Sequence, residues 1–343
     1  MFSFASDNAS AVHPAIMKAI SACNEGFAPP YGTDDFSCRL NDAYSRLFER
    51  ETFVFPVSSG TAANGLALGS MTPSYGAVFC HRLAHIVGAE AGSVEFYSGG
   101  GRLIQLDGNL SKLAPSGLDA ALGNYGPGFP HEMKAATVSV TQSTERGTLY
   151  SLEELRAVAA VARSAGLAVH MDGARFANGL VQLGCSPADM TWKSGVDAVS
   201  FGTTKNGTMM SEAVLVFDKA LADVVRYKHK RAGFLHSKMR YFAAQLLAYI
   251  QDDLWLDNAK RANAAARRIA DRLAETPGVE LAYPVETNQI FAYIPPDLTV
   301  AFAAAGLSFR RWAGPRPHLF RLVMSYAETE AMLAHVEAVL ASH

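Results

Sequence analysis

Lysine is the side chain that condenses with carbonyls, and Lys205 stands where a solvating surface lysine would have little purpose. It sits in Ser200-Phe-Gly-Thr-Thr-Lys-Asn-Gly207, a run of small residues after a β-rich stretch. An amine in such a loop can reach a crowded carbon and form a Schiff base. Thirty-three residues earlier, Asp172 lies in His170-Met-Asp-Gly-Ala-Arg175, at the end of another buried run. A carboxylate at the carboxyl edge of a parallel sheet faces the ligand crevice. Asp172 there suits a cationic group, and Arg175 suits a bidentate grip on a carboxylate or phosphate. A purely structural Asp–Arg pair at a turn fits the same pattern. The third stretch, Ser58-Ser-Gly-Thr-Ala-Ala-Asn64, joins an apolar run to a helical pattern. Free N–H groups and the helix dipole favour a phosphate at such a junction, with Ser59 and Thr61 adding hydroxyls and Gly60 allowing close approach. It is neither a P-loop nor a G-x-G-x-x-G fingerprint, and alone it also fits an ordinary capped turn.

The three stretches run in chain order as phosphate turn, strand-end Asp and strand-end Lys. Pyridoxal 5'-phosphate (PLP) makes those three demands: a phosphate cradle, an anion against its ring nitrogen and an imine-forming lysine. The Asp keeps the pyridinium protonated by stabilising its charge. A nucleotide site needs the first piece and has no use for the other two.

Such residues need a sheet to hold them. Short β-rich runs at Thr52–Val57, Ala77–Cys80, Thr137–Thr141, Leu167–Met171, Ala198–Phe201 and Ala213–Phe217 alternate with helical patterns, which predicts an α/β fold with a mostly parallel sheet. Ser151-Leu-Glu-Glu154 has capping-box spacing and opens a helix to about Ser164. A long helical stretch runs from Tyr241 to Glu275. After Thr276-Pro-Gly, strands at Val279–Tyr283, Gln289–Tyr293, Ser308–Trp312 and Leu319–Met324 alternate with helices near Ala301 and from Glu328 to Leu340. The expected organisation is a large cofactor domain over residues 1–250 and a smaller α+β domain over 251–343.

The chain has 343 residues, enough for two domains or one large α/β unit. Hydrophobic residues make up 49% and charged residues 18%, and the net charge is −2. That balance argues against nucleic acid or an anionic membrane as partner, and low charge favours burial of some surface in an oligomer. The four scattered cysteines lack zinc spacing and read as reduced thiols of a cytoplasmic protein, with no metal expected. The N-terminus lacks the features of a signal peptide.

Over essentially its whole length the chain resembles the threonine aldolase (β-eliminating lyase) family of fold-type-I PLP enzymes. Ser6-Asp-Asn8, Tyr31-Gly32, Gly60-Thr61, Ala84-His85, His170-Met-Asp-Gly-Ala-Arg175 and Arg321-Leu-Val carry the likeness. The resemblance implies Lys205 as the Schiff-base lysine, Asp172 as partner of the pyridine nitrogen, and Ser59, Gly60 and Thr61 at the phosphate. His85 would stack on the ring and assist proton transfer. Ser6, Arg175 and Arg321 would hold the substrate carboxylate, with Tyr31 and Thr144 also near the substrate and Arg175 near the cofactor. Lys230 and Lys238 fall where relatives send basic side chains to a neighbouring subunit's phosphate, although a solvated helix face explains them equally. The implied assembly is a homodimer or homotetramer with shared sites.

One departure stands out. Relatives often carry Glu-Asn-Thr-His after the strand preceding the Asp strand; this chain has Thr141-Gln-Ser-Thr144-Glu-Arg. No imidazole is present there, so His85 or an ordered water is the expected base for a substrate β-hydroxyl, and aryl substrates such as phenylserine come into view. The implied reaction is retro-aldol cleavage of L-β-hydroxy-α-amino acids to glycine and an aldehyde. β-Elimination, racemisation or transamination on the same cofactor are the near rivals. A silent binding protein or a nicotinamide dehydrogenase are more distant ones.

Overall fold

The computed structural model describes residues 2–125 and 130–343. A short strand β1 (Phe2–Ser3) precedes seven strands of one sheet: β2 (Phe53–Val57), β3 (Gly76–His81), β4 (Arg102–Leu106), β5 (Lys134–Thr141), β6 (Ala168–Gly173), β7 (Ala198–Phe201) and β8 (Glu212–Val216). Five more follow: β9 (Glu280–Leu281), β10 (Gln289–Tyr293), β11 (Leu307–Ser308), β12 (Arg310–Arg311) and β13 (Leu319–Val323).

The large sheet has the order β2-β8-β7-β6-β5-β3-β4. β8 runs antiparallel to both neighbours and the remaining pairings are parallel. Helices cover both faces, so central strands such as β3 and β7 are buried throughout and read as continuous apolar runs. From β3 the chain crosses to β4 on one side and to β5, β6 and β7 on the other. The order therefore switches between β3 and β5, which opens a crevice beyond their carboxyl ends.

Aromatic packing fixes the end of β7. The Phe201 ring, its last residue, lies 5.2 Å from Phe176, 5.6 Å from Tyr44 and 5.9 Å from Trp255, centroid to centroid. Gly202 follows because a Cβ there would lie 2.6 Å from the Ala174 backbone, where the ends of β6 and β7 touch.

The second sheet, β12-β13-β10-β9, is antiparallel and has its own apolar cluster around Phe302, Leu322 and Met324. The N-terminus lies against it: β1 pairs parallel with β11 in a separate two-stranded sheet, and Val323 N–H donates to the Phe4 carbonyl. Helix Leu254–Glu275 serves both bodies, with Trp255 and Ala259 in the large core and Ala266, Ile269 and Leu273 in the small one.

The expected strands recur with shifted ends; Ala198–Phe201 and Gln289–Tyr293 match to the residue. The capping box forms as read, Ser151 Oγ accepting Glu154 N–H and Glu154 accepting Ser151 N–H. Three features differ. Edge strand β4, largely unburied along its length, carries too little apolar pattern to be read. The helical stretch from Tyr241 divides into Arg240–Ile250 and Leu254–Glu275, because Asp252 and Asp253 take φ of 51° and 56° between them. The expected strand Ser308–Trp312 is two short ones, β11 and β12. Among the described residues no helix is long and apolar enough to cross a membrane.

Candidate active site

A cavity of about 230 Å³ lies in the crevice, and Ser59, Gly60, Thr61, His85, Asp172 and Lys205 all line it. One wall is the start of helix Gly60–Met71, where Ser59 is the N-cap and its Oγ accepts Ala62 N–H at 3.2 Å. A Cβ added at Gly60 would meet no protein atom within 4 Å. The open ground over these N–H groups is the cradle a phosphate needs.

Asp172, 4% exposed, is the second-last residue of the buried strand β6. Its Oδ1 accepts Ala174 N–H at 3.0 Å, and its Oδ2 accepts Asn64 Nδ2 at 2.9 Å. Asn64 also donates to Glu90 Oε1 at 2.8 Å, and His85 Nδ1 meets that oxygen at 2.7 Å. Glu90 Oε2 is held by Ser93 Oγ at 2.9 Å. One hydrogen-bonded chain thus links the strand-end acid to the imidazole above it. The Glu90 bond foremost raises the His85 pKa, overcoming burial, with Asp172 adding to the lift.

His170 lies two residues back on the same strand, fully buried. Its ring nitrogens meet Ser139 Oγ at 3.0 Å and Ser200 Oγ at 2.9 Å, and burial pushes its pKa down to about 4. It is a neutral interstrand pin under the site.

Lys205 sits on the turn Thr204–Asn206 beyond β7. Asn206 Nδ2 donates to Tyr249 Oη and to the Trp255 carbonyl, both at 2.8 Å, and its own carbonyl accepts Asn258 Nδ2 at 2.9 Å. Gly207 closes the turn at φ 125°, where a side chain would also press on Asn258. Burial, then Arg175, lowers the Lys205 pKa, while Asp7, Asp172 and Glu212 pull it back. A partly buried amine with weakened proton affinity suits attack on a carbonyl.

Arg175 is engaged by the N-terminal segment. Its Nε and Nη2 donate to Asp7 at 2.8 and 3.0 Å, and Asp7 also accepts Asn288 Nδ2 at 3.0 Å. Burial alone would raise Asp7; the Arg175 guanidinium, Lys205 and these bonds hold it below the usual carboxylate range. Arg321 on β13 donates Nη2 to the Ala5 carbonyl at 3.1 Å and lies over the Trp312 ring at 4.5 Å. Its buried Nε has no partner, and burial followed by Arg175 lowers its pKa to about 10.

The other expected residues lie apart. Ser6 caps the turn Asp7–Ala9 by accepting Asn8 N–H, and Asn8 lines the cavity. Tyr31 is half exposed with the Lys230 ammonium 4.8 Å from its ring centroid, and Lys238 is exposed. Thr144 is fully buried, its hydroxyl shared with Thr148 Oγ1 at 2.7 Å and the Leu110 carbonyl at 3.3 Å. Its neighbour Glu145 spans the switch point instead: Oε1 accepts His85 N–H at 2.8 Å and Oε2 is buried without a partner. Burial, then Asp172, raises that carboxyl to about 7.

Sequence reading missed Asp7, Asn64, Glu90 and Glu212. Two left a signal: Asn64 is one helical turn beyond the phosphate junction, and Glu212 is a charge opening the otherwise apolar run Glu-Ala-Val-Leu-Val.

Comparison with known proteins accords with this geometry. The beta-eliminating lyase family matches residues 3–296. A low specificity L-threonine aldolase of Pseudomonas aeruginosa is 42% identical over 91% of this chain and 89% of its own length. A threonine aldolase structure from Leishmania major superimposes with a TM-score of 0.92 at 25% identity, covering 100% of this chain and 99% of that one. YbdL of Escherichia coli, described as having a methionine aminotransferase function, shares the fold with a TM-score of 0.75 at 13% identity, over 98% of this chain and 92% of that one. The fold is thus the fold-type-I architecture, common to several reactions. On the strength of the 294-residue match from 3 to 296, the chain belongs to the beta-eliminating lyase family.

Proposed function

We propose that the protein is a PLP-dependent aldehyde-lyase that cleaves L-β-hydroxy-α-amino acids, L-threonine, L-allo-threonine or L-phenylserine, to glycine and an aldehyde. The observation that carries this reading is the convergence of an open helix N-terminus, Asp172 and Lys205 on one cavity. The residues fit PLP: the cradle at Gly60 is free of protein atoms, and Asp172 presents Oδ2 at the cavity wall. When bound, PLP supplies an electron sink for the pair released at Cα.

The chain's own groups do the rest. The Ser59–Thr61 turn takes the phosphate, Asp172 holds the ring-nitrogen proton and Lys205 provides the amine. Arg321, with a free buried Nε, takes the substrate carboxylate; Arg175 orients beside it under the hold of Asp7, and Ser6 belongs to the same segment. That grip fixes the rotation about Cα, so that the Cα–Cβ bond is the one aligned for cleavage. His85, tethered through Nδ1 to Glu90, leaves Nε2 to hold or move the β-hydroxyl proton. Tyr31 and Thr144 act from further out, Thr144 by fixing the backbone that aims Glu145.

We also place the division between a large cofactor domain and a small C-terminal one near residue 250, with the N-terminal strand belonging to the small body. A homodimer or homotetramer accords with the fully exposed Phe27 and half-exposed Tyr31. Cytoplasmic residence completes the reading.

Product analysis of PLP-loaded protein given L-threonine and, separately, L-threo-phenylserine tests it. Glycine plus acetaldehyde or benzaldehyde is expected, and the ratio of rates reads the effect of Glu145 where relatives carry imidazole. A keto acid or D-amino acid with no glycine would overturn the reaction.

A further inference from the structure

The floor of the cavity holds a carboxylate that the roles above do not use. Glu212 opens β8, the one antiparallel strand of the large sheet, is 6% exposed and lines the cavity. Its Oε2 accepts Thr203 N–H at 2.6 Å and its Oε1 accepts Thr204 N–H at 3.3 Å. One side chain from the neighbouring strand thus closes over the turn that carries Lys205. With both oxygens accepting N–H donors, the arrangement matches an ionised carboxylate; a protonated one would set its O–H against a donor. Burial foremost raises the Glu212 pKa above the ordinary carboxylate value, and the Thr204 and Thr203 bonds and the Lys205 charge oppose that rise.

The charges around Lys205 come from several elements. Arg175 opposes its protonation, and Asp7, Asp172 and Glu212 support it. His85 lines the same cavity within electrostatic reach of Lys205, and the Tyr249 phenol lies within electrostatic reach of Glu212 from helix Arg240–Ile250. Two of the three acids are committed elsewhere: Asp7 to Arg175 and Asn288, Asp172 to Asn64 and the Ala174 N–H. Glu212 alone among them is bonded to the turn of the lysine itself.

We propose that Glu212 is a positioning residue for Lys205, clamping the turn that presents the amine and supplying the negative charge that keeps this nitrogen protonated once the cofactor is joined to it. The inference rests on the PLP reading.

The test follows the visible absorption of PLP-loaded protein as a function of pH. Wild type is expected to titrate with one midpoint, and Lys205→Ala is expected to lose it. Glu212→Gln removes the charge and keeps one acceptor; its midpoint is expected to fall by about one pH unit. Glu212→Asp, which withdraws the carboxylate by one methylene, is expected to move the midpoint the same way by less, and carries the test if the Gln variant does not fold. A merely structural role would lower the Tm of PLP-free protein and leave the midpoint in place. An unmoved midpoint in a folded, PLP-loaded Glu212 variant therefore overturns the inference. A wild type that shows no Lys205-dependent visible absorption with PLP strikes the PLP reading beneath it, so the two failures are told apart.

Discussion

The floor and the arginine end of the cavity are both built from buried charge, yet they are finished differently. At the floor most donors and acceptors close on one another: Asn206 is bonded on both sides, Glu212 covers the turn and Phe201 is wedged among aromatic rings, with the neutral Thr204 hydroxyl left over. At the other end Arg175 takes the Asp7 carboxylate, while Arg321 has only the Ala5 carbonyl and its Nε is left over. A buried unpaired donor costs roughly 1–3 kcal/mol. Under the proposed reading the difference has a simple meaning. Among the described residues, the end that keeps its cofactor leaves no buried charged group unpaired, and the end that takes and releases a carboxylate each turnover stands one anion short.

The sharpest way to break this contrast is Asp7→Asn, which leaves two guanidinium groups facing each other without a counter-charge. Removing one partner of a buried pair costs about 3–5 kcal/mol, so the PLP-free variant should show a large fall in unfolding free energy by denaturant titration. Loss of less than about 1 kcal/mol would mean that the pair is solvated rather than structural. Arg321→Leu removes the spare donor and should spare the floor. It is expected to cost about 2–4 kcal/mol of substrate binding, a 30- to 1000-fold rise in KM by roughly that conversion, with cofactor absorption unchanged. A change confined to kcat would move the carboxylate contact elsewhere.

The smallest effect concerns Glu145, at the edge of both regions, raised to about 7 from 4.5. Between those pH values the unfolded chain loses its proton while the folded chain keeps it, so stability falls as pH rises through this window. Allowing for its partial exposure, the loss is on the order of 2 kcal/mol. Glu145→Gln should flatten that slope relative to wild type in urea titrations at pH 4.5 and 7.5. An unchanged slope would place an ionised carboxylate beside His85.

Legibility in the sequence divides along the same line. Asp172 and Lys205 are readable because each follows an apolar run that can only be a buried strand, and strand ends in such a sheet face the crevice. The phosphate turn is readable from Ser59 and Gly60 at a strand–helix junction. At the arginine end Arg321 is readable only through resemblance, and Arg175 is readable from its place after the strand but incompletely. Arg175 was expected at the ligand, whereas the structure engages its guanidinium with Asp7, 168 positions away. No local pattern announces a pair at that separation. Glu90 is hidden for a related reason: its value comes from Asn64, 26 positions earlier, and not from its own neighbours. The break at Asp252 and Asp253 leaves no mark in the pattern, because helical periodicity continues on both sides of it.

The pairing of β1 with β11, and of Phe4 with Val323, has a consequence in time. The Ala5 carbonyl and the Arg321 side chain that meets it are 316 positions apart. At synthesis rates of about 5–20 residues per second, the N-terminal segment waits roughly 15–60 s for its partners to be made. The seven strands of the large sheet are all complete before β13 exists, so that sheet can collapse early, with Lys205 and Asp172 already in register. Asp7 reaches Arg175 only along a segment whose anchors, Ser308 and Val323, are made long after it. Contacts of such high sequence separation form late. A nascent chain would accordingly build the surroundings of Lys205 and Asp172 first and those of Arg175 and Arg321 later.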